Sequence, residues 1–210
     1  MTAGTSRPAV VAWSPFQARS ECLAHELSGA AHFIAHERLG RRSALVAVRY
    51  VLNSLQTWRV LDRTDPSFVV VIAPPVFASL VVALWCRRRS RPFAIDCHTE
   101  VLNSRFWRLL LPLQRWAARR AAAVTFHTQE DTRRAAPWTD RTLYLPDGPA
   151  SPDESVARRG MPSARRPRVV LAGSLDSLEP VAQEVETARL LPDVDVVVTG
   201  DLTRVPLDVR

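Results

Sequence analysis

FAIDCHTE, residues 93–100, is a short apolar run that passes without a break into Asp96, Cys97, His98, Thr99 and Glu100. Its first residues read as a strand buried on both faces. Its last residues carry groups that bind metals, attack carbonyls or move protons. Three readings follow: a metal site, a Cys/His nucleophile, or the ligand-facing end of a strand. The pattern on either side decides among them.

Short β-branched runs alternate with helical patterns over the first 147 residues. Strands are predicted at 9–14, 32–37, 68–75, 93–99, 123–128 and 142–147, and helices at 16–28, 43–62, 76–89, 105–122 and 129–136. Strand and helix in turn at this spacing predict an α/β fold with a doubly wound, Rossmann-like parallel sheet covered on both faces. Residues 148–167 are rich in Pro, Gly, Ser and charge and read as a linker. The pattern then restarts over 168–210 with a strand at 168–174, a helix at 178–190 and a strand at 194–200. This is one βαβ unit of an incomplete second Rossmann-like domain, too small to bury a stable core alone, so the chain is expected to be the front part of a longer protein.

In an open parallel sheet, ligands bind outside the carboxyl ends of the strands. FAID is then the strand, and Cys97–Glu100 is where the chain emerges at the binding edge. Other strands end in Trp13-Ser14-Pro15-Phe16-Gln17, Ala73-Pro74-Pro75 and Phe126-His127-Thr128, which would share that rim. For metal, Asp96 and His127 could join His98, but no spacing motif ties them. A Cys97/His98 pair points to opposite faces of an extended chain and lacks the setting of an activated thiol. A His capping the next helix and a His that orients substrate or handles its proton both remain. The first strand is followed by SPFQARSE instead of GxGxxG, and GxxxxGK[ST], HExxH and GxSxG are absent too, which argues against dehydrogenase, P-loop NTPase and hydrolase.

The net charge is +7, and every one of the 28 basic residues is Arg. Residues 1–167 hold 24 Arg against 13 acids, and residues 168–210 hold 4 against 8. The basic first part suits an acidic partner such as a lipid phosphate, an anionic polysaccharide or a membrane surface. Nucleic acid is the weaker reading, since the all-Arg usage looks like a coding bias and the charge is unevenly placed; it would need a clustered basic and aromatic face. Cys22, Cys86 and Cys97 are scattered, fitting a reducing cytoplasm. The apolar stretch 68–86 approaches the length of a membrane span, yet Pro74-Pro75 divides it into a strand and a helix.

Four stretches together resemble bacterial glycosyltransferases of the two-domain GT-B fold, the group called family 4: SPFQARSECLAHELSG, IDCHTEVLNSRFW, LYLPDG and AGSLDSLEPVAQEVETARLLPDVDVVVTG. The resemblance spans the chain but only about the first half of such an enzyme. It implies transfer of a sugar from a nucleotide-sugar donor to a glycan or lipid-linked acceptor of the cell envelope, with retention at the sugar carbon. It implies no metal and no cofactor beyond the donor itself, and a cytoplasmic protein at the inner face of the membrane. Residues 1–147 would bind the acceptor. His98 and Asp96 would lie at the reacting centre, with Ser14, Gln17, Arg19, Ser20, Glu21, Thr99 and His127 around the acceptor. Gly173 and Ser174 would open the donor site and approach its phosphates. The chain departs from the family in lacking glycines in the first loop and in lacking a cation between Ser174 and Pro180. It is therefore expected to transfer no sugar alone. The alternative is a non-catalytic remnant that binds a glycan, lipid or protein.

The segment 105–120, RFWRLLLPLQRWAARR, sets Phe106, Leu109, Leu110, Leu113, Trp116 and Ala117 near one helical face and Arg108, Arg115 and Arg119 on another. This predicts a core-packed helix with a solvated basic face, or a helix lying on anionic lipid, kinked at Pro112.

Overall fold

Val10 and Val11 are adjacent in sequence and both fully buried, in two different places. Val10 packs with Ala12, Ala24, Val70 and Ile72. Val11 packs with Leu61, Val69, Val71, Val82 and Ile95. Successive side chains of a strand face opposite ways, so two separate cores on one strand mean a sheet covered on both sides. The computed structural model describes residues 6–36, 43–147, 166–172 and 181–199, and these fall in two units, residues 1–150 and 151–210.

The first unit carries six strands: β1 (Ala9–Ala12), β2 (Ala30–Phe33), β3 (Val69–Ala73), β4 (Phe93–Cys97), β5 (Ala123–Phe126) and β6 (Thr142–Tyr144). Their order is β2-β1-β3-β4-β5-β6, and every pairing is parallel. This is the Rossmann-like sheet expected from the sequence. The order reverses between β1 and β3, which makes the gap above their carboxyl ends the topological switch point. One face is covered by α1 (Ala18–Glu26). The other is covered by α2 (Ser43–Thr64), α3 (Val76–Arg89) and α6 (Leu111–Ala118), with Leu61, Trp85 and Ala117 in the larger core. The helix α7 (Gln129–Ala135) is capped by Thr128, whose hydroxyl accepts from the Asp131 backbone N–H.

Two expectations shift and one holds. The second strand runs over 30–33, earlier than the apolar run at 32–37, because pairing to β1 starts at Ala9↔Ala30. Gly29 permits that start: a Cβ there would lie 2.4 Å from the Pro8 carbonyl oxygen. The stretch 68–86 divides where its prolines predict, β3 ending at Ala73 and α3 starting at Val76. Among the described residues no helix is long and apolar enough to cross a membrane.

The second shift is larger. The single helix predicted at 105–122 is two short ones, α5 (Arg105–Arg108) and α6, which restarts with Pro112 in its first turn, and a further short helix, α4 (Glu100–Asn103), precedes them. Proline has no N–H to continue a helix but fits its first turn. The restart changes the phase of the buried face. Trp107, Gln114, Ala117 and Ala118 are buried, whereas Phe106, Leu109 and Leu113 are exposed, Leu109 at 83%. The expected apolar stripe is therefore split: Phe106, Leu109 and Leu113 face outward, while Ala117 enters the core and Trp116 packs against it.

In the second unit β7 (Arg168–Ala172) pairs in parallel with β8 (Asp195–Thr199), and α8 (Val181–Arg189) joins them. Val169, Leu171 and Val196 line a cavity together with Gln183, Thr187 and Ala188 of α8. The predicted linker lies outside the described residues except for Arg166 and Pro167, as do Gly173 and Ser174.

The sheet's far side rests on Phe126, fully buried and edge-on to Trp138 at 5.8 Å. Phe126→Ala is expected to cost about 3–5 kcal/mol, read as a lowered urea midpoint with an unchanged denaturant slope.

Candidate functional site

The alternation of β4 decides what each residue of FAIDCHTE can do. Phe93, Ile95 and Cys97 enter the larger core. Asp96 takes the opposite face, the one α1 covers, and is 1% exposed. A carboxylate so deeply buried needs partners. Arg19 of α1 supplies two of them, Nε to Oδ2 at 2.7 Å and Nη2 to Oδ1 at 2.9 Å. Thr125, the polar residue of β5 in register with Asp96, donates to Oδ1 at 2.5 Å. Arg19 then reaches past the strand ends. Nη1 meets the Asp147 carboxylate at 2.6 Å and the Pro146 carbonyl at 3.2 Å, and Nη2 meets the Leu145 carbonyl at 2.9 Å. A guanidinium has five N–H donors, and these bonds use all five. Hydrogen bonding to Asp96 is the main reason that Arg19 holds its proton above the ordinary range, with burial opposing it. Arg19 and Asp96 thus form a brace joining α1, β4, β5 and the end of β6.

One residue on, His98 stands at the rim. Its backbone N–H donates to the Ala73 carbonyl at 2.7 Å, tying the end of β4 to the end of β3. Its Nε2 lies 2.8 Å from Gln17 Nε2. Gln17 in turn accepts from the buried Ser20 hydroxyl through Oε1 at 2.7 Å. The His127 ring lies 5.3 Å from that of His98, and its Nε2 is 2.6 Å from the Thr99 hydroxyl. Burial pushes the His98 imidazole below its ordinary value. Asp96 pulls it back up, while His127 and Arg19 push it further down.

Of the residues expected at this edge, the fold brings Gln17, Arg19, Ser20, Asp96, His98, Thr99 and His127 into one connected cluster. Ser14 lies beside it, its hydroxyl donating to the Phe16 carbonyl at 3.3 Å. Glu21 is exposed on α1. Cys97 is sealed in the core, where burial drives its thiol far above the ordinary range, and Gln114 donates to its sulfur at 3.6 Å. Among the described residues no three His, Cys, Asp or Glu side chains converge as metal ligands.

Sequence reasoning missed several members. Thr125 and Asp147 complete the brace. A threonine between Val124 and Phe126 in a strand beside a buried aspartate was the available signal for the first. On the α2 side a row of rings flanks the switch point: Trp13 to Tyr50 at 5.9 Å, Tyr50 to Phe77 at 5.2 Å, and Tyr50 to Trp107 at 6.4 Å. Trp13 is fixed by its Nε1 donating to Thr57 at 2.8 Å. Aromatic faces beside hydrogen-bonding groups suit a ligand with apolar faces and polar edges.

No protein-family model matches the chain, and no curated protein sequence does. Solved structures share its fold. Anabaena HepE in complex with UDP and glucose matches with a TM-score of 0.57 at 12% identity, covering 92% of this chain and 60% of that one. HepE in complex with UDP-glucose gives 0.56 at 13% identity over 91% and 60%. A Listeria monocytogenes protein assigned provisionally as a UDP-N-acetylglucosamine 2-epimerase gives 0.52 at 11% identity over 99% and 65%. At these identities the likeness is one of fold. The chain spans about 60% of the length of the HepE structures.

The low-set imidazole has a consequence for stability. An unfolded chain takes up a proton on His98 near the ordinary value of 6.5, and the folded chain resists it. The unfolded state therefore binds more protons in that window, so stability rises with pH there. The contribution is present above 6.5 and is lost as pH falls from there through the lowered folded value. His32, also lowered by burial, adds the same sign. Urea midpoints measured across this range should fall on acidification, and His98→Asn should flatten the fall by removing one of its sources.

Proposed function

We propose that this chain is the acceptor-binding domain of a sugar transferase, followed by the start of its donor-binding domain. The observation that carries the reading is the convergence of Gln17, His98, Thr99 and His127 with the Trp13–Tyr50–Phe77 row at the switch point of the sheet. Support comes from the fold shared with a protein crystallised with UDP-glucose and with UDP and glucose. Donor and acceptor must be held in register for transfer, and positioning accounts for much of such a rate. In this reading the first unit orients the acceptor hydroxyl, and Gly173 and Ser174 begin the surface that meets the donor's phosphates. The resemblance to family 4 transferases adds retention at the sugar carbon.

The acceptor in this reading is lipid-linked and is met at an anionic membrane of the cell envelope, on its cytoplasmic side. The exposed Phe106, Leu109 and Leu113 support it, standing among Arg105, Arg108 and Arg115 next to the aromatic row through Trp107. An apolar patch ringed by cations inserts shallowly and is attracted to anionic headgroups.

Two measurements test this. In sedimentation with vesicles, the chain should bind membranes containing anionic lipid, release at high salt, and lose at least tenfold in binding on Leu109→Ser. Equal binding to neutral vesicles would count against the membrane contact. Radiolabelled UDP-glucose and an envelope lipid extract should give retention of an acceptor lipid by the purified chain without transfer of label. In a complete two-domain relative bearing this domain, His98→Ala should lower turnover by about 100-fold or more. Unchanged turnover with a normal fold would remove His98 from the chemistry.

A further inference from the structure

The hydrogen bonds around Gln17 are directional, and the direction reaches His98. Gln17 caps α1, and its backbone carbonyl accepts from the N–H groups of Ser20 at 3.0 Å and Glu21 at 3.2 Å. Its side-chain amide lies between Ser20 Oγ at 2.7 Å and His98 Nε2 at 2.8 Å. An amide offers an acceptor at one end and donors at the other, and it could be turned either way. Ser20 decides. Its hydroxyl is fully buried, and among the described residues its hydrogen bond goes to Gln17. With the amide turned over, the hydroxyl oxygen would accept from the NH2 group, and its own proton would have no other acceptor among the described residues, leaving a buried donor unmade. The oxygen of Gln17 therefore faces Ser20, and its NH2 faces His98.

An imidazole nitrogen that meets an NH2 group must accept. Nε2 of His98 then carries no proton, and the neutral ring carries its proton on Nδ1. The neighbours oppose a second proton: Arg19 is charged beside it, and the His127 ring is 5.3 Å away. The anions that favour one, Asp96 and Asp147, are both engaged by Arg19, and Asp96 also by Thr125. Among the described residues Nδ1 makes no hydrogen bond, so the N–H it carries has its partner still to find.

We propose that Ser20 and Gln17 act as a positioning relay that fixes His98 as the neutral Nδ1–H tautomer, so that His98 donates a hydrogen bond to an oxygen of the bound acceptor instead of removing its proton. A base needs a free lone pair. In this arrangement Nε2 spends its lone pair on Gln17, and Nδ1 already holds a hydrogen. The tautomer follows from the hydrogen bonds alone. What the N–H faces rests on the acceptor reading given above.

The test is long-range 1H–15N correlation of the five histidine rings in the ligand-free, 15N-labelled chain at pH 7.5, with His98→Asn identifying the His98 signals. His98 should show a protonated Nδ1 and an unprotonated Nε2. Gln17→Leu should shift it towards the Nε2–H form that free imidazole side chains favour in water. Ser20→Ala should do the same without touching His98, because the amide is then free to turn over. Unchanged His32 and His36 signals show that each variant is folded. An Nε2–H ring in the wild type overturns the relay, as does a His98 spectrum indifferent to both substitutions. The ligand half is read by acceptor retention from a lipid extract. His98→Asn, whose amide N–H replaces the Nδ1 donor, should retain within about tenfold of wild type where His98→Ala does not. Equal loss in both variants overturns the donor role. No retention by the wild type defeats the acceptor reading and leaves the tautomer assignment standing.

Discussion

A carboxylate buried at the end of a central strand has to be neutralised from somewhere, and in this protein Arg19 does it. Desolvating both charges costs several kcal/mol each, so such a pair stabilises little by Coulomb attraction alone. Its effect is on geometry. Asp96 sits on β4, Arg19 on α1, Thr125 on β5 and Asp147 after β6, and one guanidinium joins them. Removing Arg19 would leave the Asp96 carboxylate buried without a counter-charge, so the elements are held to the arrangement that keeps the pair together. The first turn of α1 is placed this way, and Gln17 and Ser20 come with it to the side of His98.

The same bonds separate support from contact. Arg19 and Asp96 are at the edge where the sequence put acceptor-binding and reacting groups, yet their donors and acceptors are turned on one another. His98, Thr99 and His127 lie one layer further out, on groups that are partly accessible. A residue can stand at the carboxyl end of a strand and serve the site by holding its neighbours. The positive surplus of the first 167 residues therefore includes other, exposed arginines, such as Arg105, Arg108 and Arg115 around Phe106 and Leu109.

What could be read from the sequence was what alternation and proline dictate. The β-branched runs named the strands, Pro74-Pro75 separated β3 from α3, and FAIDCHTE was recognisable as a strand meeting the binding edge. Partners across strands were less legible, since Thr125 becomes the neighbour of Asp96 only through the register of β4 and β5. Tyr50 and Trp107, 57 residues apart in sequence, meet at 6.4 Å, and no local pattern encodes that. The outward turn of Phe106, Leu109 and Leu113 escaped because one periodicity was carried across 105–122, whereas Pro112 restarts the helix in a new phase. Gly173 and Ser174 stay with the sequence argument alone, outside the described residues.

The hold of Arg19 on Leu145, Pro146 and Asp147 has a mechanical side. These residues follow β6, a strand of only three residues, and they are the last described before the first unit gives way to the second. Tension on the chain beyond Asp147 is borne by three bonds to a single guanidinium, acting in parallel. The same guanidinium is bonded to Asp96 in the middle of the sheet, so β6 is held both by its pairing to β5 and through Arg19. The short terminal strand is thus moored to the centre of the fold and to α1, the helix that holds Gln17 against His98.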